Sequence, residues 1–200
     1  MSSTASRDGV LENHITSELA NLADVLAPLD HEAWGTPSLC KGWTVREVVA
    51  HLTMPARRST PAVLAGLALS GFRWNVFADK AAHRDAGLST NKLLADLRST
   101  RLAAWRPPGG GPESALVHAL VHALDSTVPL GATRSSDPER VRIVLDALVA
   151  PASLKHFGVD LEGIELCANH APWSHGTGRH VTANSEAIVL ILSGRAPIPS

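Results

Sequence analysis

Cysteine is almost missing from this sequence. Cys40 and Cys167 are its only two, they are far apart, and neither belongs to a C-x-x-C pattern. No disulfide framework is indicated, and a reducing cytoplasm fits. Charge of either sign is also scarce and balanced: 18 Lys and Arg against 19 Asp and Glu give a formal net charge of -1. Composition therefore offers neither nucleic acid nor an acidic membrane surface as a partner. No apolar run is long enough to span a bilayer. The stretch Met1-Ser2-Ser3-Thr4-Ala5-Ser6-Arg7-Asp8 lacks the apolar core of a signal peptide, so export is not expected. There is no internal repeat, and the only low-complexity tract is Gly109-Gly110-Gly111.

What is present is Ala, Leu and Val in helical spacing. Ile15, Leu19, Leu22 and Leu26 predict a first helix over about Leu11–Ala27, ended by Pro28. Thr44 with Glu47 three residues on forms a capping box. It opens a helical stretch over about Val45–Leu69, with a bend or stop expected at Pro55. Ser89 caps a helix over about Thr90–Trp105, and Glu113–Thr127 reads as a helix entered through Pro112. Asp137-Pro138-Glu139 opens another, to about Ala150. Gly71–Gly87 is less readable, though its apolar Phe72, Trp74, Val76 and Phe77 suit a helix lining a pocket. After that the pattern changes: Ile164–Ala168 alternates like a strand, Trp173–Thr182 reads as a turn between short strands, and Asn184 caps a last helix. The expected fold is mainly α, a four-helix bundle over residues 1–157 with a small α/β appendage over 158–200.

Two histidines sit where chemistry is expected. His118 and His122 are four apart on a helix whose other face carries Leu116, Leu120 and Leu124, so the imidazoles share one face of a nearly all-apolar helix. His51 occupies similar surroundings behind Glu47 and Val48. Three neutral imidazoles with an open position are the ligand set of a catalytic zinc site. Spacing alone leaves core histidines satisfied by hydrogen bonds equally open, the more so because the sequence has ten histidines. Asp125, three residues past His122, is placed either to orient a ligand imidazole or to pair with a nearby Arg. Cys40 reads as structural, and His175 and His180 as surface residues of a turn. Arg57, Arg58, Arg73 and Arg84 are candidates for binding a carboxylate, with nothing to select among them.

Three blocks in order resemble a known family. Leu39-Cys40-Lys41-Gly42-Trp43-Thr44-Val45-Arg46-Glu47-Val48-Val49-Ala50-His51-Leu52 is similar to the C-x-G-W-T-V-R-D-x-x-A-H-L stretch of mycothiol-dependent maleylpyruvate isomerase-like proteins. Val121-His122-Ala123-Leu124-Asp125 with Pro129-Leu130-Gly131 resembles that family's V-H-x-x-D helix and its P-L-G ending. Trp173-Ser174-His175-Gly176-Thr177-Gly178 with Gly194-Arg195 resembles its W-x-x-G-x-G … G-R close.

The resemblance implies a DinB-like four-helix bundle holding one divalent metal, with zinc the expected ion; three imidazoles also accept nickel. It also implies a cytoplasmic, actinobacterial protein that uses mycothiol and a small electrophilic substrate; the sequence leaves monomer and homodimer both open. By motif His51 and His122 carry over as ligands. The third position is Glu in the isomerase and His118 here, a set of three histidines that related DinB-like proteins use. The activity implied is that of a metal-dependent, mycothiol-using transferase or isomerase. Two other readings keep the metal: a hydrolase working through bound water, and a non-catalytic stress-related binding protein.

Overall fold

The computed structural model describes residues 2–107 and 109–199. The chain divides after Arg134 into two compact units.

The first unit is the helical bundle. Helix α1 (Ser2–Leu26) buries Leu11, Ile15, Leu19, Leu22 and Leu26 at steps of three or four residues. A short α2 (His31–Trp34) is capped by Asp30, whose carboxylate accepts the Ala33 N–H at 2.9 Å, and it buries Trp34. The Val45–Leu69 stretch is three pieces: α3 (Val45–Leu52), α4 (Met54–Arg57) and α5 (Thr60–Leu69). Pro55 and Pro61 each lie in a first turn, where the missing N–H is tolerated, so the chain breaks ahead of each. The Gly71–Gly87 stretch contains α6 (Trp74–Asp85), which buries Phe77, Ala78, Ala81, Ala82 and Asp85. Thr90–Trp105 is likewise divided, into α7 (Thr90–Leu97) and α8 (Thr100–Ala103). The break falls where the Ser99 hydroxyl accepts the Arg101 N–H and starts a new turn. Helix α9 (Pro112–Thr127) completes the unit. Four helices make the bundle, with α1 against α7 and α9, α3 against α7 and α9, and α6 laid on α3.

Charge fixes the corner where α4, α6 and α7 meet. Buried Asp85 accepts from Arg57 Nη2 and Arg58 Nη2, each at 3.0 Å, and from Arg84 Nε at 3.0 Å. Arg57 also bonds Asp96 at 2.9 Å, the Thr53 hydroxyl at 2.7 Å and the Ala50 carbonyl at 2.8 Å, which bridges the break between α3 and α4. Lys92 reaches the other Asp96 oxygen. Arg57, Arg58 and Arg84, three of the four arginines considered for an external carboxylate, therefore bind the protein's own carboxylates. Arg73 stands exposed at the start of α6.

The second unit holds α10 (Pro138–Leu148), α11 (Pro151–Phe157), strands β1 (Ile164–Ala168), β2 (Ser174–Gly176) and β3 (Arg179–Ala183), and α12 (Ser185–Leu192). Its sheet has the order β2-β1-β3, with β1 antiparallel to β2 and parallel to β3. At Gly178, φ is +122° and an added Cβ would lie 2.3 Å from the Gly163 carbonyl oxygen, so only glycine fits this turn. The division between units falls earlier than the 157/158 boundary expected from sequence. Helix α10 packs on α12, and its Asp146 accepts the Trp173 indole N–H at 2.9 Å. Its apolar stripe shows that one face is buried but not against what.

Replacing Asp85 with Ala removes the buried carboxylate that the half-buried Arg57 and Arg58 share. The expected loss is about 3–5 kcal/mol, the penalty for breaking a buried ion pair from one side, measured by urea unfolding of Asp85→Ala against the unsubstituted protein. A loss below about 1 kcal/mol, the range of exposed pairs, would show that the network contributes no more than a surface one.

Candidate metal centre

Helix α9 is the base of the site. Gly111 precedes it, Pro112 takes a first-turn position, and Glu113 complements the helix dipole. Leu116, Leu120 and Leu124 are fully buried. The 3.6-residue period then forces His118 and His122 together on another face, and both keep some exposed surface. His51 comes from α3, which packs on α9. The α3 register is set by its cap, where the Glu47 carboxylate accepts both the N–H of Thr44 (2.8 Å) and its hydroxyl.

The three imidazoles meet. His51 Nε2 lies 3.1 Å from His118 Nε2. Ring centroids are 5.2 Å apart for His51–His118, 5.0 Å for His51–His122 and 4.6 Å for His118–His122. One nitrogen from each ring lies within 4.8 Å of the other two. Bonds of about 2.0–2.1 Å to one tetrahedral ion would put nitrogens about 3.3–3.4 Å apart, so the donor set fits a divalent ion with small side-chain movements.

The electrostatics of His51 favour the ligand form. Burial first, and the nearby His122 second, push the His51 pKa from 6.5 down to about 3 against an opposing pull from Asp125. His51 is therefore neutral at physiological pH, with a lone pair available. Its Nδ1 is buried without a hydrogen-bond partner among the described residues, which leaves packing to hold the ring. His122 is held differently: its Nδ1 bonds Asp125 Oδ2 at 2.9 Å, which leaves Nε2 as the nitrogen available to an ion. Tryptophans flank the cluster. The Trp43 ring centroid is 5.1 Å from that of His51, and its indole N–H bonds Asp79 at 2.9 Å. Trp105 lies 5.2 Å from His118.

Cys40 belongs to this neighbourhood. Its thiol donates to Asp125 Oδ2 at 3.0 Å, and Sγ lies 3.8 Å from His122 Nδ1. The backbone agrees, since the Leu39 N–H bonds the Asp125 carbonyl at 3.1 Å. Sequence spacing does not reveal this pairing, because Cys40 and Asp125 are 85 residues apart. Trp105 was also legible only as a helix end. Asp125 orients His122 and pairs with the Cys40 thiol. Glu47, one turn before His51, is engaged in the helix cap. His175 and His180 are exposed in the second unit.

The depressed His51 pKa has a consequence for acid stability. Between about pH 6.5 and pH 3 the unfolded chain binds a proton at this position and the folded chain does not. The contribution is fully present above pH 6.5 and is lost as pH falls toward 3, by an amount on the order of several kcal/mol at about 1.4 per pH unit. Urea unfolding with a chelator present should show a steeper loss between neutral and acid pH for the unsubstituted protein than for His51→Gln. Parallel profiles would contradict the assignment of a buried, neutral His51.

The family model of the mycothiol maleylpyruvate isomerase N-terminal domain matches residues 15–127, a segment that contains His51, His118, His122 and Asp125. No curated protein sequence matches. Among solved structures, the crystal structure of the mycothiol-dependent maleylpyruvate isomerase aligns with TM-score 0.59 and 19% identity over 96% of this chain and 89% of that one. A histidine-to-alanine mutant of a mycothiol-dependent maleylpyruvate isomerase gives TM-score 0.58 and 18% identity over the same shares. At these identities the two structures establish a shared fold. Since the family model spans more than half of the sequence, the chain belongs to the mycothiol maleylpyruvate isomerase N-terminal domain family.

Proposed function

We propose that the protein is a metal-dependent, mycothiol-using isomerase or S-transferase whose ion is held by His51, His118 and His122. The observation that carries this reading is the convergence of the three imidazoles, within 4.8 Å, inside the segment matched by the family model. When bound, a zinc ion, or nickel on the same donors, lowers the pKa of a coordinated thiol, so that a thiolate is available to attack an electrophilic carbon.

The chain's residues supply the rest. His51 is neutral because it is buried. Asp125 sets the tautomer and orientation of His122, and the Cys40 thiol and the Leu39–Asp125 backbone bond hold Asp125 in turn. Trp43 and Trp105 shield two of the three rings. The partners of this reading are the low-molecular-weight thiol and a small electrophile. A reducing cytoplasm suits a chain in which neither cysteine is in a disulfide. A hydrolytic reading would need a general base beside the ion, and Glu47, one turn from His51, is bonded to Thr44 in the helix cap instead.

Two outcomes test the reading. His122→Ala should remain helical by circular dichroism, because the bundle is stabilised mainly by its buried Leu, Val and Ala faces. It should lose both metal and mycothiol-dependent turnover. Asp125→Asn should bind zinc about 10–100-fold more weakly, the usual effect of losing a carboxylate behind a ligand histidine. Undiminished thiol-dependent turnover in metal-free His122→Ala would show that the metal is not the activator. Absence of thiol binding and of thiol-dependent turnover in the metal-loaded protein would favour a non-catalytic role.

His118→Glu restores the isomerase's ligand set and adds one negative charge. That charge offsets part of the positive charge stabilising the thiolate, so the thiol-dependent rate should reach its plateau at a higher pH than in the unsubstituted protein. An unchanged or lower plateau pH would contradict thiol activation at these residues.

A further inference from the structure

The second unit carries a cluster that the reading above does not use. In the parallel ladder Glu165 is paired with His180, and Cys167 with Thr182. Side chains alternate between the faces of a strand, so Glu165 and Cys167 share the face opposite Leu166, which is 0% exposed. His180 likewise stands opposite to buried Val181. Three different ligand types thus lie together on the solvent face of the sheet.

The distances are close. His180 Nε2 is 3.2 Å from Glu165 Oε2, and His180 Nδ1 is 3.9 Å from Cys167 Sγ. One ligand atom from each residue lies within 4.8 Å of the other two. A tetrahedral zinc with bonds of about 2.3 Å to sulfur and 2.0–2.1 Å to nitrogen separates those atoms by about 3.6 Å. The imidazole now turns one nitrogen to each neighbour. Its side chain is 71% exposed, so it can rotate to present a single nitrogen to an ion while the flexible Glu165 follows. Across the antiparallel ladder Glu165 faces Gly176, which has no side chain to occupy a fourth position.

We propose that Glu165, Cys167 and His180 form a second divalent-metal site that clamps β1 to β3 and leaves one position to water. The donor chemistry selects the ion. A thiolate disfavours calcium and magnesium, which take oxygen ligands, and thiolate with imidazole and carboxylate suits zinc. Thiolate and carboxylate together neutralise its two positive charges. The site is independent of the imidazole centre: it shares no residue with it and lies in the other unit.

The test is a cobalt(II) titration of the full chain, free of small thiols, followed by zinc equilibrium dialysis. A thiolate ligand to cobalt gives a charge-transfer band in the near ultraviolet, whereas three imidazoles give none. The band should appear in the unsubstituted protein, persist in Cys40→Ser and in His122→Ala, and disappear in Cys167→Ser. Dialysis should find one zinc fewer per chain in His180→Ala, whose exposed side chain leaves folding unaffected. A band that survives Cys167→Ser, no band at saturating cobalt, or equal zinc content in His180→Ala would each overturn the proposal. Persistence of the band in His122→Ala separates this site from the first, whichever way the reading of the imidazole centre falls.

Discussion

Asp125 is fully buried at the end of α9, and a buried carboxylate must find partners or lose several kcal/mol. Those partners define the site. His122 Nδ1 bonds it from one turn earlier on the same helix, and the Cys40 thiol bonds it from a loop far away in sequence. The Leu39 N–H takes the backbone carbonyl of the same residue. One side chain therefore orients a candidate ligand and anchors the loop that leads into α3. The capping box then starts α3 in the register that turns His51 toward α9. Without Asp125, His122 would lose the hydrogen bond that aims it and the Cys40 loop would lose its anchor.

A second constraint acts on the opposite flank. Asp85 and Asp96 hold Arg57, Arg58, Arg84 and Lys92, and Arg57 reaches back to the Ala50 carbonyl beside His51. The break between α3 and α4 is thus held by charge-assisted hydrogen bonds in place of the helical ones that Pro55 prevents. His51 lies between this corner and the Asp125 anchor, on a rigid segment.

What was legible in the sequence was what repeats locally. Leu116, Leu120 and Leu124 fix the buried face of α9, and the same period puts His118 and His122 together. Thr44 and Glu47 fix the start of α3, and Asp137 and Asn184 cap α10 and α12 as expected. The parts that were not legible depend on distant partners. Nothing near Cys40 says that it will meet Asp125. Four arginines read as ligand candidates because the aspartates that engage three of them lie 27 to 39 residues away or look like helix surface. The apolar face of α10 is plain, but its place with the sheet depends on α12 and Trp173. Helix α6 was obscured by the glycines and mixed polarity around it, although Phe77 and Ala81 keep helical spacing. Glu165, Cys167 and His180 gather only once β1 and β3 pair in parallel, an arrangement that adjacent short strands do not announce.

The central claim is that three imidazoles hold one ion whose remaining position accepts a thiol. X-ray absorption at the metal edge tests this most directly, using zinc-loaded Cys167→Ser protein so that no sulfur arises from the second unit. Without mycothiol the account predicts three nitrogen ligands at about 2.0–2.1 Å and no sulfur. With mycothiol it predicts one sulfur at about 2.3 Å. A first shell unchanged by mycothiol, or a bound ion without three histidine nitrogens, would contradict it.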